Sequence, residues 1–254
     1  MKGKIALERG PIRYGVAALL LQVVLLGGLL AGCDGQPTPA PSPAPGATVA
    51  DVAPLDAPRP AGPERLVLAF GDSLYAGYGL PRGQSLPDAI QMRLRRQGIN
   101  ATFVNAGVSG DTSADGRARL AFALDNLSRK PDLVMLGLGG NDALRQIAPA
   151  ETRANLAAML DMLAKRHIPV LLTGMKAPPN LGPDYGDAFD RIWPDLAAQY
   201  KTGLYPFILD GVIGEPKLIQ GDHIHPDMAG VAVIADRLAP VVAGRLKGAE
   251  QGGG

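Results

Sequence analysis

Residues 219–230, IQGDHIHPDMAG, set two aspartates and two histidines within six positions: Asp222, His223, His225 and Asp227. Carboxylate and imidazole groups this close support two kinds of chemistry. They can ligate a metal ion, or they can orient a general base that acts on a nucleophile elsewhere in the chain. The metal reading is incomplete. A His-x-His pair with flanking carboxylates can bind zinc, but the chain supplies no other clustered ligands, and no metal or other cofactor is expected.

The acid–base reading needs one histidine, a carboxylate to orient it and a hydroxyl to activate. Three histidines are present. His167 ends a helical stretch just before IPV, where an imidazole meets the helix dipole favourably, so it reads as structural. Asp222 stands three positions before His225, and a turn leading into a helix can bring that carboxylate to Nδ1. Nε2 is then free to face a hydroxyl. Asp222 and His225 form the candidate pair, with Ser73 of FGDSLYAGYG as the candidate nucleophile. His223 and Asp227 become neighbours on the turn and at the helix start.

Residues this far apart in the chain need a scaffold to meet. Short apolar runs punctuated by glycine or proline alternate with helical patterns. RLVLAF (65–70), ATFVNAG (101–107), PDLVMLGLGG (131–140), PVLLTG (169–174) and LYPFIL (204–209) read as five strands. Ser85-x-x-Asp88 resembles a capping box that opens the first long helix, and Asp111 or Thr112 can cap the second. Leu156, Met159, Leu160 and Leu163 share one helical face. Residues 184–200 read as one helix, and a last helix runs from Pro226 to Leu238. Regular alternation implies an α/β fold, a mostly parallel five-stranded sheet with helices on both faces. Ligand sites in such folds lie beyond the carboxyl ends of the strands. The stretches GDSL, SGDTS, GGND and DHIHP all fall on that rim.

These four ordered blocks, GDSL at 71–74, SGDTS at 109–113, GGND at 139–142 and DHIHP at 222–226, resemble those of the SGNH (GDSL-type) hydrolases. The likeness is nearest to their small secreted bacterial members of the arylesterase and multifunctional thioesterase/lysophospholipase kind, and it covers essentially the whole folded region. It implies a flavodoxin-like three-layer α/β/α sandwich and a Ser73–His225–Asp222 triad. The oxyanion donors it implies are the backbone N–H groups of Ser73 and Gly110 and the side-chain amide of Asn141. Asp72 and Asp142 read as supporting residues rather than reacting ones. The resemblance implies a carboxylic ester hydrolase acting on short to medium acyl or aryl esters, and extends to thioesters and lysophospholipids. Two alternatives stand beside it: a cell-envelope polysaccharide O-deacetylase, and a non-catalytic lipoprotein binding module. Tyr75, Tyr78, Leu80, Leu144, Ile147, Pro178 and Tyr185 are expected along an apolar acyl or aryl cleft.

The chain has 254 residues and a net charge of +1, with no basic stripe to recommend nucleic acid as a partner. Its first 32 residues carry Lys2, Lys4, Arg9 and Arg13 against Glu8, then an apolar run from Val16 to Leu30. That run is shorter than the roughly 20 residues needed to span a bilayer, so it reads as an export signal of the lipoprotein type. Without it the net charge becomes −2. The single cysteine, Cys33 in LLAGCDG, resembles the lipidated residue of a bacterial lipobox and would hold the protein on a membrane of the cell envelope. Residues 33–63 hold nine prolines and read as a disordered, extended tether. The hydrolase domain is expected over 64–246 and a disordered tail over 247–254. The expected state is a periplasmic or cell-envelope lipoprotein, a monomer whose partner is a small ester.

Overall fold

The computed structural model describes residues 58–251. The expected export segment, Cys33 and most of the expected proline-rich tether lie outside the described residues. Among those described, no helix is long and apolar enough to cross a membrane.

Five strands, β1 (Arg65–Gly71), β2 (Ala101–Gly107), β3 (Leu133–Gly137), β4 (Val170–Thr173) and β5 (Gly203–Tyr205), form one sheet in the order β2-β1-β3-β4-β5. Every pairing is parallel. The central strands are apolar over Leu66–Phe70, Leu133–Leu136 and Val170–Leu172, where both faces are covered. Their alternation divides the core in two. Val67, Ala69, Leu133, Met135 and Leu171 face α2 (Leu86–Arg96) and α8 (Met228–Gln251). Leu68, Phe70, Val134, Leu136 and Leu172 face α3 (Ser113–Asp125), α5 (Pro149–Lys165) and α7 (Ile192–Tyr200). This is the three-layer α/β/α sandwich.

Two short helices sit on the carboxyl rim of the sheet: α1 (Ser73–Ala76) after β1 and α4 (Gly140–Leu144) after β3. Capping boxes start α2, through Ser85 and Asp88, and α3, through Thr112 and Asp115. Thr112 rather than Asp111 caps α3 because the Asp111 carboxylate is engaged by the Arg119 guanidinium.

Three boundaries differ from those read in the sequence. LYPFIL pairs only as far as Tyr205, since Pro206 has no N–H to continue the ladder. Residues 184–200 form two helices, α6 (Pro183–Asp190) and α7, because a proline at 194 cannot accommodate an unbroken helical turn over residue 190. The last helix begins at Met228, with Pro226 ahead of it, and continues through Pro240 to Gln251. Residues 247–251, assigned by composition to a tail, therefore belong to this helix. Its buried face of Leu238, Ala239, Val242, Ala243 and Leu246 holds α8 against the sheet and α2 beyond the proline.

Candidate active site

Ser73 opens α1 directly after β1, and the chain turns sharply there. Asp72 caps the helix, its Oδ1 accepting from the Leu74 N–H at 3.1 Å. Beneath α1, the Tyr75 ring lies flat across Gly71 and Gly137 at the ends of β1 and β3. A Cβ at either glycine would come within 2.5 Å of that ring, so only glycine lets the aromatic wedge sit this low. The Tyr75 hydroxyl closes the packing on Thr173 Oγ1 at 2.8 Å. Tyr75 is fully buried in the core and does not line the cleft, contrary to the expectation from its place in YAGYGL. It fixes the floor under Ser73.

Asn141 and Gly110 are set from the opposite side. Asp142, fully buried, accepts from the Ser113 N–H at 2.8 Å, from the Ser113 hydroxyl and from Thr152 Oγ1 at 3.0 Å. Asn155 Nδ2 donates to Ser113 Oγ at 3.1 Å. The start of α4 is thereby pinned to α3 and α5. Asn141 Nδ2 donates one hydrogen to the Asp111 carbonyl at 2.9 Å, which leaves its other N–H for a ligand. Gly110 takes φ +87°, and its carbonyl accepts from the Arg145 guanidinium at 2.7 Å. Arg119 ties the same corner together. It engages Asp111, donates to the Ala106 and Gly71 carbonyls at 2.8 Å each, and lies 4.0 Å from the centre of the Phe70 ring.

The 219–227 stretch separates into distinct roles. Asp222 Oδ1 accepts from the N–H groups of Ile224 and His225, both at 3.0 Å, while Oδ2 lies 2.6 Å from His225 Nδ1. Burial works against the charge on Asp222, yet these backbone bonds and the His225 ring hold its carboxyl at about 2. It stays a carboxylate through neutral and mildly acid pH. His225 Nε2 lies 2.8 Å from Ser73 Oγ. His223 occupies the left-handed region at φ +61° and lines the cleft. Asp227 caps α8, its carbonyl accepting from the Val231 N–H and its Oδ1 from the Gly230 N–H at 2.8 Å. The four residues first met as possible ligands thus include two engaged with each other, one helix cap and one bystander on the wall. His167 is exposed just past the end of α5 with φ +52°.

Asp72 is almost fully buried beside this chain of hydrogen bonds. Burial pushes its carboxyl up to about 6, against the opposing pull of the Leu74 N–H and His225.

The cleft above Ser73 has a volume of about 780 Å³. Tyr78, Leu144 and Pro178 line it as expected. Ile147 does not; its carbonyl accepts from the Tyr185 hydroxyl at 2.8 Å, outside the lining. Leu80 packs against the core. Met175, Phe207, Leu209, Ile213 and Ile224 make up much of the apolar wall instead. Phe207 and Leu209 were masked in the sequence because LYPFIL reads as one strand.

The GDSL-like Lipase/Acylhydrolase family matches residues 69–233. Esterase TesA of Pseudomonas aeruginosa is 43% identical over 176 residues, which cover 69% of this chain and 87% of its own. Thioesterase 1/protease 1/lysophospholipase L1 of Escherichia coli is 35% identical over 173 residues, 68% of this chain and 81% of its own. The crystal structure of AlinE4, an SGNH-hydrolase family esterase, is 50% identical and superposes with a TM-score of 0.63, covering 72% of this chain and 97% of that one. The four sequence blocks meet on one rim of a parallel sheet, and the chain belongs to the GDSL-like lipase/acylhydrolase, or SGNH hydrolase, family.

Proposed function

We propose that the protein is a serine esterase that cleaves short- to medium-chain acyl or aryl esters through an acyl-enzyme intermediate. The observation that carries this reading is the relay from Asp222 through His225 to Ser73 at the floor of an apolar cleft. His225 Nε2 takes the Ser73 proton as Oγ attacks the ester carbonyl. The negative charge that develops on the carbonyl oxygen is met by the Ser73 and Gly110 N–H groups and the free N–H of Asn141. His225 then passes its proton to the leaving alcohol. A water, deprotonated by the same imidazole, attacks the acyl group and releases the acid and Ser73. Asp222, held ionised, keeps Nδ1 protonated and steadies the imidazolium.

The apolar wall of Met175, Pro178, Phe207 and Ile213 suits an acyl or aryl group better than a sugar, which would need polar partners along the cleft. Thioesters and lysophospholipids share this acyl-transfer chemistry, and one relative carries both activities in its name. We further infer export and anchoring through a lipidated Cys33, with residues 34–63 as the tether. Incorporation of labelled palmitate into the wild type but not Cys33→Ala would support the anchor. Incorporation into neither would remove it.

The substrate reading is tested by hydrolysis of a p-nitrophenyl ester series of increasing chain length alongside an acetylated glycan, with Ser73→Ala as the blank. The expected result is turnover of the acyl esters that is absent from the blank. Release of acetate from the glycan with little ester turnover would favour the deacetylase reading.

A further inference from the structure

Tyr78 stands in the mouth of the cleft with half of its surface exposed, where an aromatic side chain reads as a substrate contact. Its surroundings give it a second task. The ring centre lies 4.6 Å from that of His225, the two planes tilted by 37°. The Tyr78 N–H donates to the Ser73 carbonyl at 3.2 Å. Its own carbonyl accepts from Gln220 Nε2 at 2.8 Å. That amide also donates to the Pro226 carbonyl at 2.9 Å, while the Gln220 N–H donates to the His225 carbonyl at 2.8 Å. Gln220 fits because residue 79 is glycine at φ +72°; a Cβ there would collide with its Oε1 at 2.0 Å. Ser73, Tyr78 and His225 are therefore linked in one hydrogen-bonded unit, with the aromatic ring lying tilted against the imidazole.

We propose that Tyr78 is a positioning residue for His225, its ring face stabilising the imidazolium that forms when His225 takes the Ser73 proton. The inference rests on the triad proposed above. An aromatic face within about 6 Å of a cation attracts it through the ring quadrupole. The other groups facing His225 are Asp222 at Nδ1, Ser73 at Nε2 and the buried Asp72, while His223 and Lys176 line the same cleft. None of these changes when Tyr78 is replaced.

The sign follows from which states carry the imidazolium. The protonated free enzyme and the transition state both do, and the active free enzyme does not. Removing the ring therefore lowers the neutral-pH plateau of kcat/KM and moves the acid limb to lower pH by the same factor. The two rates converge at acid pH.

The test measures kcat/KM for p-nitrophenyl acetate from about pH 4.5 to 9 for the wild-type protein, Tyr78→Leu and Tyr78→Phe. For Tyr78→Leu the plateau should fall about two- to fivefold, with the acid limb lower by about half a pH unit. Tyr78→Phe should restore both. A plateau that falls while the limb stays put would reduce Tyr78 to a substrate contact or loop support and overturn the proposal. So would unchanged profiles, or a Phe variant that behaves like Leu. Should Tyr78→Leu fail to fold, Tyr78→Met supplies the same comparison. A wild-type profile without an acid limb, or His225→Ala with near-native activity, would instead defeat the triad itself.

Discussion

Ser73, Gly110 and Asn141 sit on turns fastened to the core by buried polar groups, whereas Asp222 and His225 ride on a loop at the surface. The first region is held by Tyr75 on Thr173, by Asp142 among Ser113 and Thr152, and by Arg119 across the ends of β1 and β2. The second is held by its own backbone: Asp222 accepts from two N–H groups of the turn that it orients, and Gln220 clips the loop to Tyr78. One region takes its geometry from folding as a whole. The other takes it from a few local hydrogen bonds. In the mechanism proposed above, attack and oxyanion binding fall to the first region and proton transfer to the second.

The contrast predicts different costs for similar changes. Asp222→Ala should lower kcat/KM by about 10⁴-fold, since the imidazole loses its orientation and its counter-charge. Its melting temperature should move by no more than about 2–4 °C, because the lost bonds are near the surface. Asp142→Ala should cost mainly stability, with activity falling as α4 and Asn141 loosen. It strands the Ser113 N–H and the Ser113 and Thr152 hydroxyls in the core, which costs about 2–4 kcal/mol and lowers the melting temperature by roughly 5–15 °C. Calorimetry of the two variants side by side decides the matter. Equal losses of stability would mean that the loop is as much part of the cooperative core as α4.

Asp72 gives a smaller, pH-dependent effect. Its folded carboxyl titrates near 6 against an ordinary value of 3.8. Because the folded value is raised, its contribution to stability is fully present below about pH 4 and is lost as pH rises through 6. Asp72→Asn can still cap α1 but cannot ionise. Its melting temperature relative to wild type should therefore improve between pH 4 and pH 7, by the equivalent of about 2–3 kcal/mol. A difference that is constant with pH would show that Asp72 is not ionising in a buried setting.

Strand identity, sheet type and the rim that carries the site were legible in the sequence because apolar runs stopped by glycine leave few alternatives. Asp222 and His225 could be paired from spacing alone, for a three-residue separation on a turn lets carboxylate and imidazole meet locally. Gly110 and Asn141 rested on the resemblance, since neither type announces a role. Arg119, Thr152 and Asn155 carried no signal at all. Their importance arises from long-range packing between α3, α4 and α5, and as isolated residues they look like ordinary helix surface. Tyr75 and Tyr78 were indistinguishable in YAGYGL; the short α1 turns one under the sheet end and the other into the cleft. Two helix ends differed because proline acts by context: Pro194 breaks the stretch read as one helix, whereas α8 runs past Leu238 through Pro240, where burial outweighs the lost hydrogen bond.

Covalent labelling asks whether Ser73 is a nucleophile activated by His225, as proposed above. The folded protein is treated with a fluorophosphonate at neutral pH, and the modified residue is mapped by mass spectrometry in wild type, His225→Ala and His223→Ala. Stoichiometric modification of Ser73 is expected in wild type and His223→Ala, and little or none in His225→Ala. Label on another residue, or equal labelling of Ser73 without His225, would contradict the proposal.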